Sequence, residues 1–81
     1  MGEVAVVYRL IPNPEKKEEV KNKLLEEGAK DIKEESIGFG IIALKVMFIM
    51  QDEAKKIEEL ENKLEKIGGI ESIQIEGTSL L

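Results

Sequence analysis

Residues 35–50 read Glu-Ser-Ile-Gly-Phe-Gly-Ile-Ile-Ala-Leu-Lys-Val-Met-Phe-Ile-Met, and their second half decides the fold. Ile41 to Met50 is a ten-residue run carrying one charge, Lys45. A membrane-spanning helix needs about 20 apolar residues, so the run is too short to be one. Its β-branched and aromatic content, bounded by Gly40 before it and Gln51-Asp52 after it, predicts a buried strand. Near-continuous apolarity places that strand inside a sheet, with a neighbour on each edge. Ile42, Leu44, Val46, Phe48 and Met50 form one wholly apolar face. Lys45 interrupts the other, which also carries Ile41, Ala43, Met47 and Ile49. Just upstream, Gly38-Phe39-Gly40 sets a large aromatic between two residues free to adopt positive φ, which predicts a hairpin bend with Phe39 on it. Two readings of Phe39 stand open on these residues: a cover over the core end of the hairpin, or an anchor for a partner's pocket.

Before the bend, Lys30 to Ile37 is polar, with Ile32 and Ile37 its only large apolar residues. It reads as an edge strand whose charges discourage edge-to-edge association. Val4 to Ile11 alternates, and Val4, Val6, Tyr8 and Leu10 are the better core set because the other set contains Arg9. Pro12-Asn13-Pro14 stops that strand; Asn13 suits an N-cap and Pro14 a first helical turn. The spacing predicts a helix from Pro14 to Glu27 with Val20, Leu24 and the flanking Leu25 as its narrow stripe, ended by Gly28. After the apolar strand, Asp52 is expected to cap a second helix, Glu53 to Ile67, with the stripe Ala54, Ile57, Leu60, Leu64 and Ile67. Gly68-Gly69 ends it, Ile70 to Glu76 forms a last strand with Ile73 and Ile75 inward, and Gly77 to Leu81 is a short tail.

The order is β-α-β-β-α-β. Right-handed crossovers then give an α+β, ferredoxin-like fold: a four-stranded antiparallel sheet with both helices on one face and strands one and three central. The other face stays open, with Ala5, Val7, Ile11, Met47 and Ile49 around Arg9 and Lys45. Such an area reads either as a docking surface or as scattered surface apolar residues that need no explanation.

The chain has 81 residues, which predicts one domain, 1–81, burying roughly 60 to 65% of the surface its unfolded form exposes. It has no cysteine and no histidine, which removes disulfides, thiolate sites, the commonest general base and the commonest neutral metal ligand. Paired carboxylates such as Glu34-Glu35 and Glu58-Glu59 cannot both face one site, so no acid–base pair is in view. The Glu/Lys runs over 15–23 and 55–66 read as solvated helix faces. Gly38-Phe39-Gly40 is no phosphate cradle, because it lacks a third glycine and a strand rather than a helix follows. No enzyme activity, metal or cofactor is expected. The net charge of -5 speaks against nucleic acid. The RNA-recognition fold shares this element order but reads bases with aromatics on its central strands. The outward positions here are Ala5, Val7, Arg9, Met47 and Ile49. Met1-Gly2-Glu3 lacks a positive leading region, so the chain reads as cytosolic, with no membrane partner.

At Ser36-Ile37-Gly38-Phe39-Gly40-Ile41-Ile42-Ala43-Leu44-Lys45-Val46 the chain resembles the archaeal translation elongation factor 1-beta family, which shows Pro-Ile-Ala/Gly-Phe-Gly before a Leu-Lys-Val-like strand. The resemblance continues through an Asp-led, Glu-rich helix and the ending Gly-Ile-Glu-Ser-Ile-Gln-Ile-Glu. It also takes in Met1-Gly2-Glu3-Val4 and the proline break, so it covers essentially the whole chain. It implies a guanine nucleotide exchange domain of the same fold, acting on the GTPase elongation factor 1-alpha. It implies that the aromatic of the loop Gly38, Phe39, Gly40 inserts into that GTPase. Related eukaryotic chains carry a lysine next to the last residue; this chain has Leu80 there, followed by Leu81, and Ser36 replaces the usual proline. Lys45, the one charge in the strand beside the loop, is the candidate to supply the missing cation. The rival reading is a ligand-sensing or self-associating domain of the same fold, paired through an edge strand or the open face.

Overall fold

Alternation over residues 4–10 becomes β1 (Glu3–Pro12), whose Val4, Val6, Tyr8 and Leu10 are all buried. The apolar run becomes β3 (Ile42–Gln51), antiparallel to β1, with Leu44 opposite Leu10 and Met50 opposite Val4. β2 (Asp31–Ser36) lies outside β3, and β4 (Ile70–Leu80) lies outside β1. The sheet order β2-β3-β1-β4 is antiparallel throughout, as the ferredoxin-like reading requires. One face carries α1 (Lys17–Glu26), which contributes Val20 and Leu24, and α2 (Ala54–Glu65), which contributes Leu60 and Leu64. These four meet Leu44, Val46 and Phe48 and the inward set of β1 in one core. The computed structural model describes residues 2–81, so Met1 of the leading Met1-Gly2-Glu3-Val4 stretch lies outside it.

Tyr8 is the polar feature of this core. Its ring meets Phe48 edge-on, centroids 6.2 Å apart, and its hydroxyl donates to Glu61 Oε2 at 3.1 Å, tying β1 to α2. Burial, then the hydrogen bond to Glu61 and the charge of its carboxylate, push the phenol above its usual range. The folded state therefore holds this proton more tightly than the unfolded chain. The stability it contributes is complete below the ordinary tyrosine value of about 10 and is lost as pH rises beyond it. Tyr8 is the only tyrosine, so the phenolate absorbance reports it alone. In an alkaline titration that absorbance should stay flat through the free-tyrosine range and rise only at higher pH or with unfolding. A normal phenol titration in the folded protein would contradict the geometry.

Several expectations are corrected. The first turn, Pro14–Lys16, is a 3-10 turn, and the α-helix begins only at Lys17. Asn13 does cap: Glu15 N–H donates to its side chain at 2.9 Å. The Lys16 N–H reaches the Asn13 carbonyl three residues back, which tightens the turn. Leu25 is 57% exposed, outside the stripe set by Val20 and Leu24. The second helix is two residues shorter at its far end than predicted, its N-cap position is Glu53, and that position makes no side-chain cap bond; Asp52 instead gives its backbone N–H to the Gly2 carbonyl. Ala54 is exposed. β2 is one residue shorter at each end than expected.

The largest departure is in β4. Val7 pairs with Gly77 but Tyr8 with Ile75, so Glu76 is an extra residue. This bulge lets the strand run on to Leu80, opposite Val4, where a tail was expected. The Leu81 N–H continues the ladder to the Glu3 carbonyl. Ile75 lies on the Tyr8 side of the sheet yet is 54% exposed, because β4 is outermost. At the other end of β4, Gly69 has φ +94, and its carbonyl accepts the Asn13 N–H at 2.6 Å. A Cβ there would come within 3.0 Å of Lys16 Cβ, so glycine lets the two chain segments close.

Candidate functional site

The β2–β3 hairpin closes through Ile41 N–H to the Gly38 carbonyl and Ile37 N–H to the Ile41 carbonyl. Gly38, Phe39 and Gly40 have φ of 99°, 54° and 74°, three left-handed residues in succession. Phe39 has a Cβ, so this backbone costs it about 1–2 kcal/mol that the flanking glycines avoid. Its ring is fully exposed. Phe39 therefore does not cover the core, and the aromatic is offered to solvent from a strained bend. Strain of this kind collects at sites of function. Ile37 and Ile41, on either side, are also exposed, so three apolar side chains stand together at this end of the sheet.

Below them lies a largely apolar hollow of about 380 Å³, lined by Ile11, Pro12, Pro14, Gly40, Ile41, Ile42 and Ser72 together with two charged residues, Lys17 and Glu71. A smaller one of about 160 Å³ adjoins it through Ile11 and Ser72 and leads across the open face to Arg9. Sequence reasoning did not find either, because the lining comes from separate stretches joined only by the sheet register. The proline break and Ile41 were visible signals, but nothing in their spacing joins them to Ser72.

Lys45 sits at the middle of the open face. Register places Lys33, Lys45 and Arg9 side by side across β2, β3 and β1. Like charges directly opposite one another are unfavourable. Glu35 lies 3.6 Å from Arg9, Glu76 3.9 Å from Arg9 and 3.6 Å from Lys45, and Asp31 4.0 Å from Lys33. Glu76, the extra residue of the bulge, thus meets both Arg9 and Lys45 in this row. The contacts are long and half exposed, so each contributes little. A tighter group fastens α1 to β2: Lys21 and Lys17 donate to Glu34 at 2.8 and 2.9 Å. Those bonds hold the Glu34 carboxyl below its usual range, the Lys21 bond first.

The predicted contact residues do not form one cluster. Gly38, Phe39 and Gly40 are at one end. Leu80 is opposite Val4 at the other, with Leu81 beyond it. Lys45 is opposite Arg9, five positions along β1 from Val4, or about 17 Å at the strand rise. Leu80 and Leu81 are exposed. Ala5 and Ala43 on the open face are buried and Val7, Met47 and Ile49 half buried, so that face is less apolar to solvent than expected. Among the described residues no cluster of three or more acidic residues could hold a metal ion, and no helix is long and apolar enough to cross a membrane.

Comparison with known proteins adds two kinds of likeness. In backbone shape, the chain is similar to the C-terminal domain of the MgtC protein from Mycobacterium tuberculosis (TM-score 0.71, 17% identity, 99% of this chain and 89% of that one). It is similar also to the ACT domain of GTP pyrophosphokinase from Chlorobium tepidum (TM-score 0.71, 15% identity, 93% and 88%). At such identities these establish the fold alone. In sequence, it is 36% identical to elongation factor 1-beta of Methanoculleus marisnigri, with both chains covered completely. It is 39% identical to elongation factor 1-beta of Methanoregula boonei over 93% of each. Residues 14–81 match the EF-1 guanine nucleotide exchange domain. The hairpin, both helices and the bulged last strand fall within that match, β1 lies before it, and the chain belongs to the elongation factor 1-beta guanine nucleotide exchange family.

Proposed function

We infer that the GTPase on which this guanine nucleotide exchange factor of translation elongation acts is elongation factor 1-alpha, and that the exchange unit is the whole of residues 1–81. Phe39 carries the reading: a large aromatic fully exposed, on a bend whose backbone is strained to present it. Exchange needs no chemical step. A factor that binds the nucleotide-free GTPase better than the GDP-bound form must weaken GDP binding by the same ratio. Contacts suffice for this, which accords with a chain lacking histidine and cysteine. The setting is cytoplasmic, and the partner is a protein surface, with no direct part for nucleic acid or membrane.

Adding the chain to elongation factor 1-alpha loaded with a fluorescent GDP analogue tests this directly. Accelerated release supports it; unchanged release sinks it and returns the self-associating reading. A second experiment addresses the C-terminus. Leu80 is exposed at the position where the resemblance places the eukaryotic lysine that disturbs the GTPase's magnesium and phosphate site, so magnesium displacement here is weak or uses another basic residue. Lys45 is the candidate substitute, although it lies about 17 Å from Leu80 along the sheet. Leu80→Lys should raise the exchange rate at saturating factor. No change, or a fall, would count against a weakened magnesium displacement.

A further inference from the structure

We propose that the hollow beneath the Phe39 loop receives an apolar side chain of the same GTPase, so that each partner inserts into the other. The proposal rests on the exchange reading above. Gly40 and Ile41 belong both to the loop and to the lining, so a surface that accepts Phe39 reaches the hollow without a gap. A volume of about 380 Å³ is ample for one branched or aromatic side chain. Ile11, Pro12 and Pro14 give it walls that are already placed: Pro12 is buried, and the capped turn at Asn13 fixes Pro14. The adjoining channel ends at Arg9, whose own carboxylate contacts are no shorter than 3.6 Å. The segment that fits is therefore an apolar side chain followed closely by a carboxylate, the first filling the hollow and the second meeting Arg9. Desolvated apolar anchors ringed by polar contacts are the usual source of affinity at such interfaces.

Ser72 lies on the rim, exposed, opposite Ile11. Ser72→Leu should fill the hollow from β4 and weaken binding to nucleotide-free elongation factor 1-alpha by about tenfold, with an unchanged unfolding midpoint. Arg9→Gln should weaken it by about threefold and flatten its dependence on salt. In the unsubstituted chain with labelled isoleucine methyls, Ile11 and Ile41 should shift on complex formation while Ile57 and Ile67, on the helical side, do not. That measurement decides the matter if Ser72→Leu does not fold. Undiminished binding by Ser72→Leu, beside a Phe39→Ala that has lost it, overturns the proposal and leaves the exchange reading intact. Tighter binding by Ser72→Leu also overturns it, because a filled hollow would then serve the contact better than an open one. An unsubstituted chain that neither binds the GTPase nor releases GDP overturns both.

Discussion

Phe39→Ala should slow nucleotide exchange at least about tenfold while leaving the unfolding free energy within about 1 kcal/mol of the parent. The two numbers separate because the ring touches water rather than core. Its removal creates no cavity. Alanine also carries a Cβ, so the strain of the left-handed backbone is the same in both proteins and cancels from the difference. On the partner the ring is expected to be desolvated, and anchors of that kind cost about 2 kcal/mol or more on truncation, roughly a thirtyfold loss of affinity. Tenfold is thus a floor. GDP release and denaturant unfolding measured on the same preparation check both halves. A loss of several kcal/mol with normal exchange per folded molecule would mean that Phe39 is a core residue after all.

Leu64→Ala should produce the reverse pattern, with a stability loss of about 2–5 kcal/mol. Leu64 is 1% exposed and belongs to the cluster that joins α2 to β1 and β3. Folded domains hold only about 0.05–0.15 kcal/mol per residue, so a chain of this length has about 4–12 kcal/mol in all. The substitution removes a large share of it. Leu25→Ala, a change of the same chemistry at an exposed site, should stay within about 0.5 kcal/mol. A Leu64→Ala midpoint equal to the parent's would contradict the packing of α2.

The sheet was legible because its central strands carry their own evidence. The apolar run at Ile41 to Met50 and the alternation at Val4 to Leu10 each identify a strand and its inward face without reference to any other residue. Where an outcome depends on a partner, the sequence is silent. Ile75 has the parity of an inward residue, but parity does not say whether a helix extends far enough to cover it. Gly77 reads as the end of a strand; only pairing with Val7 shows that the chain passes a bulge and continues. Asp52 has cap chemistry, but the helix starts one residue too late for it. The candidate site divides in the same way. The loop declared itself through two glycines around an aromatic within eleven residues of family likeness. The ring's orientation, left open between cover and anchor, needed three consecutive φ values. The hollow needed β1, β3 and β4 in register at once.

The central position of β1 has a consequence for the chain while it is being made. β1 is synthesised before every other strand, yet one of its two neighbours, β4, is the last. From Pro12 to Leu80 is 68 residues, a delay of roughly 3–14 s at the pace of a ribosome. During that interval one edge of β1 has no ladder to join, and Val4, Val6, Tyr8 and Leu10 have an incomplete core to enter. A bare, strongly β-forming edge is the kind of surface that recruits another chain. Helix α1 and the β2–β3 hairpin are local and form early. The sheet closes only when the bulged strand arrives, so a nascent chain held before residue 70 should be captured by chaperones or aggregate, and release of the full strand should end that vulnerability.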